Sequence, residues 1–448
     1  MTEHSGLDTV IRAERAVIDG EIRSAAIGIV DGLISSIGPW GADEHARQEV
    51  VTPSTTVLLP GLVDSHVHID EPGTDWEGFA TATAAAAAAG ITTLVDMPLD
   101  CDPVTTTADA LARKREAAEG NCIVDVGYWG GVVPTNIDAL DELAQAGCLG
   151  FKCFLADSGN PNFPHLSPQE FYRAMARVAE LDSVLLVHAE SDHTVTQSPA
   201  AQGRSYESFL ASRPDAVEVD AVALVIDAAR RTGARAHIVH VSSARVLALI
   251  AAAKRSGVRI TAETCPHYLT FAAGDIPDGG VQFAACPPIR RGDNRQQLWT
   301  GLAGGVLDMI VSDHSPCAPE LKGDGDFGRV FGGISSLQLG PRVVWTRARM
   351  RGFTLVDLCR WMAEKPAALA GLTDRGRIAV GHRADFCVFD PDAEAEVRAD
   401  DLQHRHALTP YDGVTLRGEA VATWLAGAPI DDDVRGRALT RSRLGQPA

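Results

Sequence analysis

The chain has no apolar run that approaches the ~20 residues of a membrane-spanning helix. Its N-terminus, MTEHSGLDTV, lacks the basic stretch and apolar core of a secretory signal. Basic residues are also scarce, because 40 Lys and Arg stand against 59 Asp and Glu, which gives a net charge of −19. An acidic protein of this kind is a poor match for nucleic acids and anionic membranes. We therefore expect neither a nucleic acid nor a membrane as a partner.

Paired cysteines are absent as well. The nine cysteines form no CxxC motif, and Cys122, Cys153 and Cys387 lie inside apolar runs. A free thiol in such a run behaves as a small hydrophobic side chain. This usage indicates a reducing compartment rather than a disulfide framework. The sequence therefore predicts a cytoplasmic protein.

Apolar strands alternating with helical stretches fill the middle of the chain. The 448 residues are 45% hydrophobic and 22% charged, as expected for a soluble protein with a large core. Eight strand candidates follow one another: VLLPGLVDSHVHI, TTLVDMP, CIVDVGYWG, GFKCFL, VLLVHAE, AHIVHVS, RITAETCP and LDMIVSDHSP. Near-continuous apolar strands with helices between them predict an α/β fold, a (β/α)8 TIM-like barrel over residues 58–371.

The two ends of the chain carry β patterns without the barrel repeat. Residues 1–57 contain short strands punctuated by turn residues, and residues 372–448 contain RGRIAVGHRADFCVFD and TLRGEAVATWLAG. Each end is too small for a separate domain. We expect residues 1–57 and 372–448 to form one composite β-sandwich domain beside the barrel domain.

The first barrel strand candidate ends in His66-Val67-His68. Side chains alternate along a strand, so both imidazoles point to the same side. Imidazole is the commonest metal ligand among side chains, and two on one face form half of a metal site. The same pair is also compatible with two solvated or structural histidines, so the decision depends on the other strands.

Ligand-type side chains recur at other predicted strand ends, namely Lys152, His188, His240 and Asp313. Barrel enzymes place their reactive residues at the carboxyl ends of the strands, where the following loops converge. Together with the two histidines of the first strand, these residues place six ligand-capable side chains at five strand ends of one rim. The arrangement favours a metal site over a set of unrelated histidines.

Lys152 lies between aromatic and apolar neighbours in GFKCFL. Burial of an ammonium group is unfavourable and shifts the amine towards its neutral form. A neutral amine can add CO₂ to become a carbamate, an anion with two oxygens that can bridge two metal ions. The alternatives are a lysine that extends to solvent or one that pairs with Asp157. No glutamate is expected at a strand end where it could bridge instead.

Ordered motifs along nearly the whole chain resemble those of the cyclic amidohydrolases, which include hydantoinases and dihydropyrimidinases, dihydroorotases and allantoinases. The motifs HVHIDEPG, TDWEGFATATAAAAAAGITTLVDMPL, FKCFLADSG, HAE, HVSS, ETCPHYLTF, CPPIR and VSDHSPC are most similar to the allantoinase branch. The resemblance implies a hydrolase that cleaves a cyclic amide, with allantoin opened to allantoate in purine catabolism. It also implies a homotetramer.

The resemblance further implies a centre of two divalent metal ions, usually zinc, although the ligand types also suit cobalt, manganese or iron. His66, His68 and Asp313 would bind one ion, His188 and His240 the other. Lys152, carbamylated by CO₂ to N6-carboxylysine, would bridge them. Asp313 would also be the catalytic residue, taking a proton from the attacking water and passing it to the departing ring nitrogen.

Substrate contacts are expected from Asp70, Asp100, Cys286, Ser315 and Gly332. Dihydroorotases carry an arginine after HxH that binds the substrate carboxylate, whereas this chain has Asp70 there. Two carboxylates near the site favour a neutral cyclic ureide rich in N–H donors, such as allantoin. Allantoinases more typically have asparagine at both positions, so a hydantoinase or dihydropyrimidinase acting on another neutral ring is the alternative. A non-catalytic assembly protein of the same fold is a more remote one.

Two further regions receive weaker assignments from sequence. The glycine-rich stretch 325–333 reads as a flexible loop that offers backbone groups to a ligand or acts as a lid. His267 reads as a structural or supporting residue, and His314 as one that orients Asp313 or touches substrate. His237 and His404 receive no functional role.

Overall fold

The structure is a computed structural model that describes residues 6–43, 45–431 and 436–441. Five strands come first: β1 (Leu7–Ile18), β2 (Glu21–Val30), β3 (Leu33–Gly38), β4 (Ala46–Val51) and β5 (Val57–Pro60). Eight more follow in the middle of the chain: β6 (Leu62–Val67), β7 (Ile91–Asp96), β8 (Asp125–Gly131), β9 (Gly150–Phe154), β10 (Val184–His188), β11 (Arg235–Ile238), β12 (Ile260–Thr264) and β13 (Met309–Ile310). The last are β14 (Phe386–Glu396), β15 (Thr415–Leu425) and β16 (Ala428–Pro429).

The strands β6 to β13 form one parallel sheet in sequential order. The sheet closes on itself where Val67 pairs in parallel with His314, and the His68 amide donates to the His314 carbonyl at 2.8 Å. The Ser312 amide adds a hydrogen bond to Asp64 Oδ2 at 3.0 Å. The predicted (β/α)8 barrel is therefore confirmed, and each predicted strand overlaps one strand of the barrel.

The second sheet draws its strands from both ends of the described chain. Its order is β16-β15-β14-β5-β1-β2-β3, with β4 paired to β1. The antiparallel pairing of β14 with β5 joins the C-terminal part of the chain to the N-terminal part. The composite β unit expected from the two ends is thus present, as one continuous sheet.

Gly61 corrects one detail of the sequence interpretation, which treated Val57–Ile69 as a single strand. The structure divides this stretch, because β5 belongs to the terminal sheet and β6 to the barrel. The Gly61 amide donates to the Asp385 carbonyl at 2.8 Å between them. A Cβ at Gly61 would lie 2.2 Å from Thr92 Oγ1. Only glycine fits where the chain passes from one sheet to the other.

Helices cover the outside of the barrel and fill the connections after its strands. They are α1 (Phe79–Ala88), α2 (Ala108–Ala118), α3 (Leu140–Gln145), α4 (Pro168–Glu180), α5 (Asp192–Gln197), α6 (Tyr206–Ser212), α7 (Asp215–Thr232), α8 (Leu247–Arg255), α9 (Pro266–Thr270), α10 (Gly292–Ala303), α11 (Gly340–Arg349), α12 (Leu355–Cys359) and α13 (Lys365–Leu369). The alanine face of α1 is buried at Ala82, Ala85 and Ala86, so small side chains let this helix approach the sheet closely. Among the described residues, none of the helices is both long and apolar enough to cross a membrane.

Candidate metal centre

Six side chains from five barrel strands meet at one end of the barrel. His66 lies on β6 and His68 just beyond it, Lys152 lies within β9, and His188 is the last residue of β10. His240 and Asp313 follow β11 and β13. All six line one cavity of about 900 Å³. The structure thus brings together the full set of predicted ligands, as expected for the carboxyl ends of barrel strands.

The imidazole rings are close to one another. The ring centres of His66 and His240 are 5.5 Å apart, those of His188 and His240 are 4.6 Å apart, and those of His66 and His68 are 5.6 Å apart. Ligand atoms of His66, His240 and Asp313 all lie within 4.8 Å of one another. Four imidazoles and a carboxylate at this spacing can surround cations.

Three of the four histidines have pKa shifts that suit metal binding, whereas, although burial opposes this, Asp313 and Glu263 raise the pKa of His66. Burial lowers the pKa of His68 and of His240 well below the usual value for imidazole, and burial also lowers the pKa of His188. His68 Nδ1 and His240 Nδ1 are buried without a hydrogen-bond partner. Neutral, unpartnered ring nitrogens are the form in which histidine binds a metal. The residues present therefore fit a metal centre.

Asp313 is an ionised carboxylate in this environment. Burial opposes ionisation, but the neighbouring imidazoles, His66 foremost, hold the pKa of Asp313 well below its usual value. Asp313 Oδ1 lies 3.1 Å from His66 Nε2 and 3.8 Å from His68 Nε2. A carboxylate in this state can accept a proton from a group in the cavity or bind a cation.

Lys152 is buried, as its apolar neighbours predict. Burial lowers the pKa of its ammonium group to about 8, so a substantial fraction of the amine is neutral near physiological pH. Its Nζ lies 5.1 Å from the centre of the Phe154 ring. Asp157, the alternative partner, is exposed and accepts from the Gly159 amide at 3.1 Å. The geometry favours the neutral amine over a lysine that reaches solvent.

Glu263 is a buried neighbour of the centre that the sequence interpretation did not identify. It lies on β12 but is not among the residues that line the cavity, so the expectation that no strand-end glutamate could bridge the ions stays a prediction. Its carboxylate contacts His66 Nδ1 at 2.5 Å and His237 Nε2 at 2.8 Å. Although burial opposes it, His237 and His66 lower the pKa of Glu263 to about 2. The carboxylate therefore accepts the Nδ1 proton and leaves His66 Nε2 facing the cavity.

His188 has a corresponding supporting pair. Glu190 Oε2 lies 2.8 Å from His188 Nε2 and accepts from Arg213 Nη1 at 2.5 Å. Burial again opposes ionisation, yet Arg213 and His188 lower the pKa of Glu190 to about 2. Glu190 follows His188 by two residues in the HAE motif, so its position could have been inferred from sequence. No sequence motif indicates that Arg213 contacts Glu190.

His314 is fixed in place beside the candidate ligand Asp313. Its Nε2 lies 2.9 Å from Glu77 Oε2, and its Nδ1 accepts from the Ser336 amide at 3.1 Å. His404, which received no role from sequence, is buried, and its Nε2 accepts from the Gln338 amide at 3.2 Å. The ring centres of His314 and His404 are 4.7 Å apart. The segment around His404 therefore packs against His314, the residue next to Asp313.

Most of the expected substrate contacts line the cavity. Asp100, Cys286, Ser315 and Gly332 are wall residues, and Ser315 Oγ lies 3.3 Å from Asp313 Oδ1. Asp70 does not line the cavity. It is buried with its carboxylate within 4.8 Å of His68 and Asp100, and neither carboxylate oxygen has a hydrogen-bond partner. The geometry therefore offers Asp70 an indirect role and not a direct contact with substrate.

Backbone strain is concentrated at this site. The non-glycine residues His240 (φ 39°), Asp313 (φ 46°), Asp100 (φ 62°) and Asp70 (φ 62°) occupy the left-handed region. Such conformations are unfavourable for side-chain-bearing residues and persist where the surrounding structure holds them. Here they turn the chain after the barrel strands, and three of the four, His240, Asp313 and Asp100, line the cavity.

The chain matches the amidohydrolase family over residues 57–430. It is 46% identical to an allantoinase of Streptomyces avermitilis over 443 residues, which cover 98% of this chain and 99% of that protein. It is 44% identical to an allantoinase of Saccharomyces cerevisiae, over 89% of this chain and 87% of that protein. Among solved structures, an L-hydantoinase (dihydropyrimidinase) from Arthrobacter aurescens superposes with a TM-score of 0.92 at 29% identity, covering 97% of this chain and all of that one.

Proposed function

Because the chain belongs to the amidohydrolase family, we propose that it hydrolyses the hydantoin ring of allantoin to give allantoate. The observation that carries this proposal is the convergence of six ligand-capable side chains on one cavity. The choice of substrate is supported by 46% identity, over almost the full length, to a protein described as an allantoinase. The reaction would be a step in purine-derived ureide catabolism.

The proposed centre holds two divalent ions. His66, His68 and Asp313 would bind one, His188 and His240 the other, and carbamylated Lys152 would join them. The neutral Lys152 amine forms a bond to the carbon of CO₂ and releases one proton, which gives a carbamate. When bound, the ions would polarise the amide carbonyl and activate water. Zinc is our first choice of metal, although cobalt, manganese and iron suit the same ligands.

Asp313 would move the proton in this reaction. Its ionised carboxylate lines the cavity, so it can accept the proton of the attacking water and then deliver it to the departing ring nitrogen. Glu263 and Glu190 hold the imidazoles of His66 and His188 in fixed orientations through the contacts described above. The protein thus contributes a ready proton acceptor and a rigid frame.

Substrate selection would depend on carboxylates in the wall. Asp100 accepts hydrogen bonds, and in this cavity it favours neutral rings with N–H donors over an anionic dihydroorotate. Hydantoins and dihydropyrimidines share this property, and the TM-score of 0.92 to an L-hydantoinase keeps that activity as the second candidate. The complete ligand set disfavours a non-catalytic assembly protein.

We also propose a cytoplasmic homotetramer. All nine cysteines are free thiols in the structure, as suits a reducing compartment. The tetramer is proposed from the resemblance to cyclic amidohydrolases, and sedimentation analysis of the purified protein would measure it.

A substrate panel tests the proposed activity. Protein expressed with ample metal is assayed on allantoin, hydantoin, dihydrouracil and dihydroorotate, with metal content measured on the same sample. We expect the highest kcat/KM on allantoin. A higher kcat/KM on dihydrouracil would overturn the assignment in favour of a dihydropyrimidinase. Less than one equivalent of any transition metal, with no activity, would favour the assembly protein.

A further inference from the structure

Arg213 is a cationic residue of the cavity wall that the proposed mechanism does not use. It lies between α6 and α7, and its side chain is 21% exposed. Among the described residues that line the cavity, Lys152 and Arg213 are the lysine and arginine members. If Lys152 becomes a carbamate, Arg213 is the remaining strong cation of this wall.

The guanidinium of Arg213 is held in place from one side. Its Nη1 donates to Glu190 Oε2 at 2.5 Å, and that oxygen is shared with His188 Nε2. The Arg213 backbone is fixed as well, because its carbonyl accepts from Arg290 Nη1 at 3.1 Å. Within the described structure, the bond to Glu190 is the hydrogen bond that the Arg213 guanidinium makes. Its remaining N–H donors therefore stay available to a ligand. The N–H donors of a guanidinium form a planar fork. When the guanidinium is held in place, this fork binds an oxygen acceptor with little loss of side-chain entropy.

The surroundings of Arg213 indicate which part of a ligand it meets. Glu190 separates its guanidinium from the metal-ligand histidine, so Arg213 lies one residue outside the ring of ligands. The reacting amide would lie at the ligands, and a substituent of the ring would extend towards Arg213. Carboxylates, including Asp100 and Asp157, line the same cavity and can accept N–H donors but cannot bind a carbonyl oxygen.

We propose that Arg213 determines specificity by binding the carbonyl oxygen of an exocyclic ureido group on the substrate. The inference rests on the proposed function, because allantoin is a hydantoin that carries such a group. It goes further by separating two tasks. The metal centre recognises the ring amide that every hydantoin contains, whereas Arg213 recognises the substituent that distinguishes a ureido-hydantoin from the unsubstituted ring.

The test compares two substrates on three variants. Arg213→Met removes the donors, and Arg213→Lys keeps the charge but loses the fork. Arg291→Met is the matched control, because Arg291 binds Glu207 at 2.8 Å and does not line this cavity. Loss of a charged hydrogen bond to a substrate group typically reduces kcat/KM by about 10- to 100-fold. We expect that loss for allantoin with Arg213→Met, a smaller loss with Arg213→Lys, and no change with Arg291→Met.

Unsubstituted hydantoin separates a specificity role from a structural one. We expect Arg213→Met to lower kcat/KM for allantoin at least about 10-fold more than for hydantoin, because only allantoin has a ureido group to bind, whereas any effect through Glu190 and His188 lowers both. If hydantoin turns over too slowly, its inhibition constant against allantoin hydrolysis is measured instead and should change less than kcat/KM for allantoin does. The metal content of all variants should match that of the wild type.

The outcomes distinguish the two proposals. Equal losses on both substrates, or metal loss in Arg213→Met, would show that Arg213 acts only through Glu190 and His188, and would overturn the inference. Unchanged allantoin hydrolysis in Arg213→Met would overturn it as well. A wild-type protein that opens hydantoin but not allantoin would defeat the proposed function, and this inference with it.

Discussion

At the scale of single residues, the candidate ligands could be predicted, whereas the contacts of most of the residues that support them could not. His66, His68, Lys152 and His188 are visible in sequence because each lies in or directly beside an apolar strand. Glu263 is visible in the same way, yet its role depends on contacts with His66 and His237 on other strands. Those contacts follow from sheet register and side-chain rotamer, which a single sequence does not specify. Arg213 is harder still, because it lies in a helix connection far from any strand motif.

Replacement of Lys152 tests the bridging role at this scale. Lys152→Met keeps a long apolar side chain in a buried position but cannot form a carbamate. We expect activity to fall by at least about 10³-fold, equivalent to ~4 kcal/mol of barrier, together with the loss of bound metal. Metal analysis and kcat on allantoin measure both effects. In the wild type, reconstitution with metal should depend on dissolved CO₂.

Lys254 provides the matched control for that replacement. It pairs with Asp308 at 2.6 Å and lies outside the cavity. Lys254→Met should retain metal and activity. A Lys152→Met protein that retains two metal equivalents and normal kcat would contradict the carbamate bridge.

At the scale of elements, the glycine-rich stretch 325–333 shows what a composition signal omits. The sequence shows its glycines but not the hydrogen bonds that hold it to the rest of the protein. The Phe331 amide donates to Leu321 O at 2.9 Å, and the Gly333 amide to Ala284 O at 3.0 Å. Buried Lys322 donates from Nζ to the carbonyls of Phe331 at 2.9 Å and Gly333 at 2.5 Å. The end of this stretch contributes Gly332 to the cavity wall. It is therefore held in place by hydrogen bonds from Lys322.

Lys322 makes the stability of this element dependent on pH. Burial lowers its pKa to about 8 from an ordinary 10.5, with Cys317 and Cys286 as its titratable neighbours. Between these two pKa values the unfolded chain binds more protons than the folded one, so the contribution of Lys322 to folding rises with pH. Below pH ~8 both states are protonated and the cost of burial is fully present. We expect a gain of about 1 kcal/mol between pH ~7 and ~9.

The measurement is the free energy of unfolding in urea at several pH values for the wild type and for Lys322→Met. The variant loses two hydrogen bonds at every pH, but it should lack this rise. The difference between the two proteins should therefore grow with pH. A constant difference across the range would show that the lysine titrates normally and that the pH argument is wrong.

At the scale of the whole molecule, the sequence predicted the two units and left their connection undetermined. The barrel repeat and the β character of the ends follow from periodicity, whereas the contacts between them join residues about 250 positions apart. Asp125, the first residue of β8, is buried and paired with Arg375 Nη1 at 3.0 Å and Arg383 Nη2 at 3.3 Å. These contacts lie at the start of a barrel strand, opposite the end that holds the candidate metal centre. The buried ion pairs of Asp125 and the candidate metal centre thus lie at opposite ends of the barrel.

That separation gives the last prediction. Arg375→Met removes one of three arginines that lie within 4.0 Å of buried Asp125, and breaking a buried ion pair typically costs about 3–5 kcal/mol. We expect the urea midpoint of unfolding to fall accordingly, while kcat and KM on allantoin stay unchanged in the folded protein. Arg377→Met is the control, because Arg377 forms an exposed pair with Glu364 at 2.7 Å, and exposed pairs contribute about 0–1 kcal/mol. If Arg375→Met instead lowered kcat without changing the unfolding midpoint, the two ends of the barrel would be coupled, and the division between a stabilising end and a catalytic end would fail.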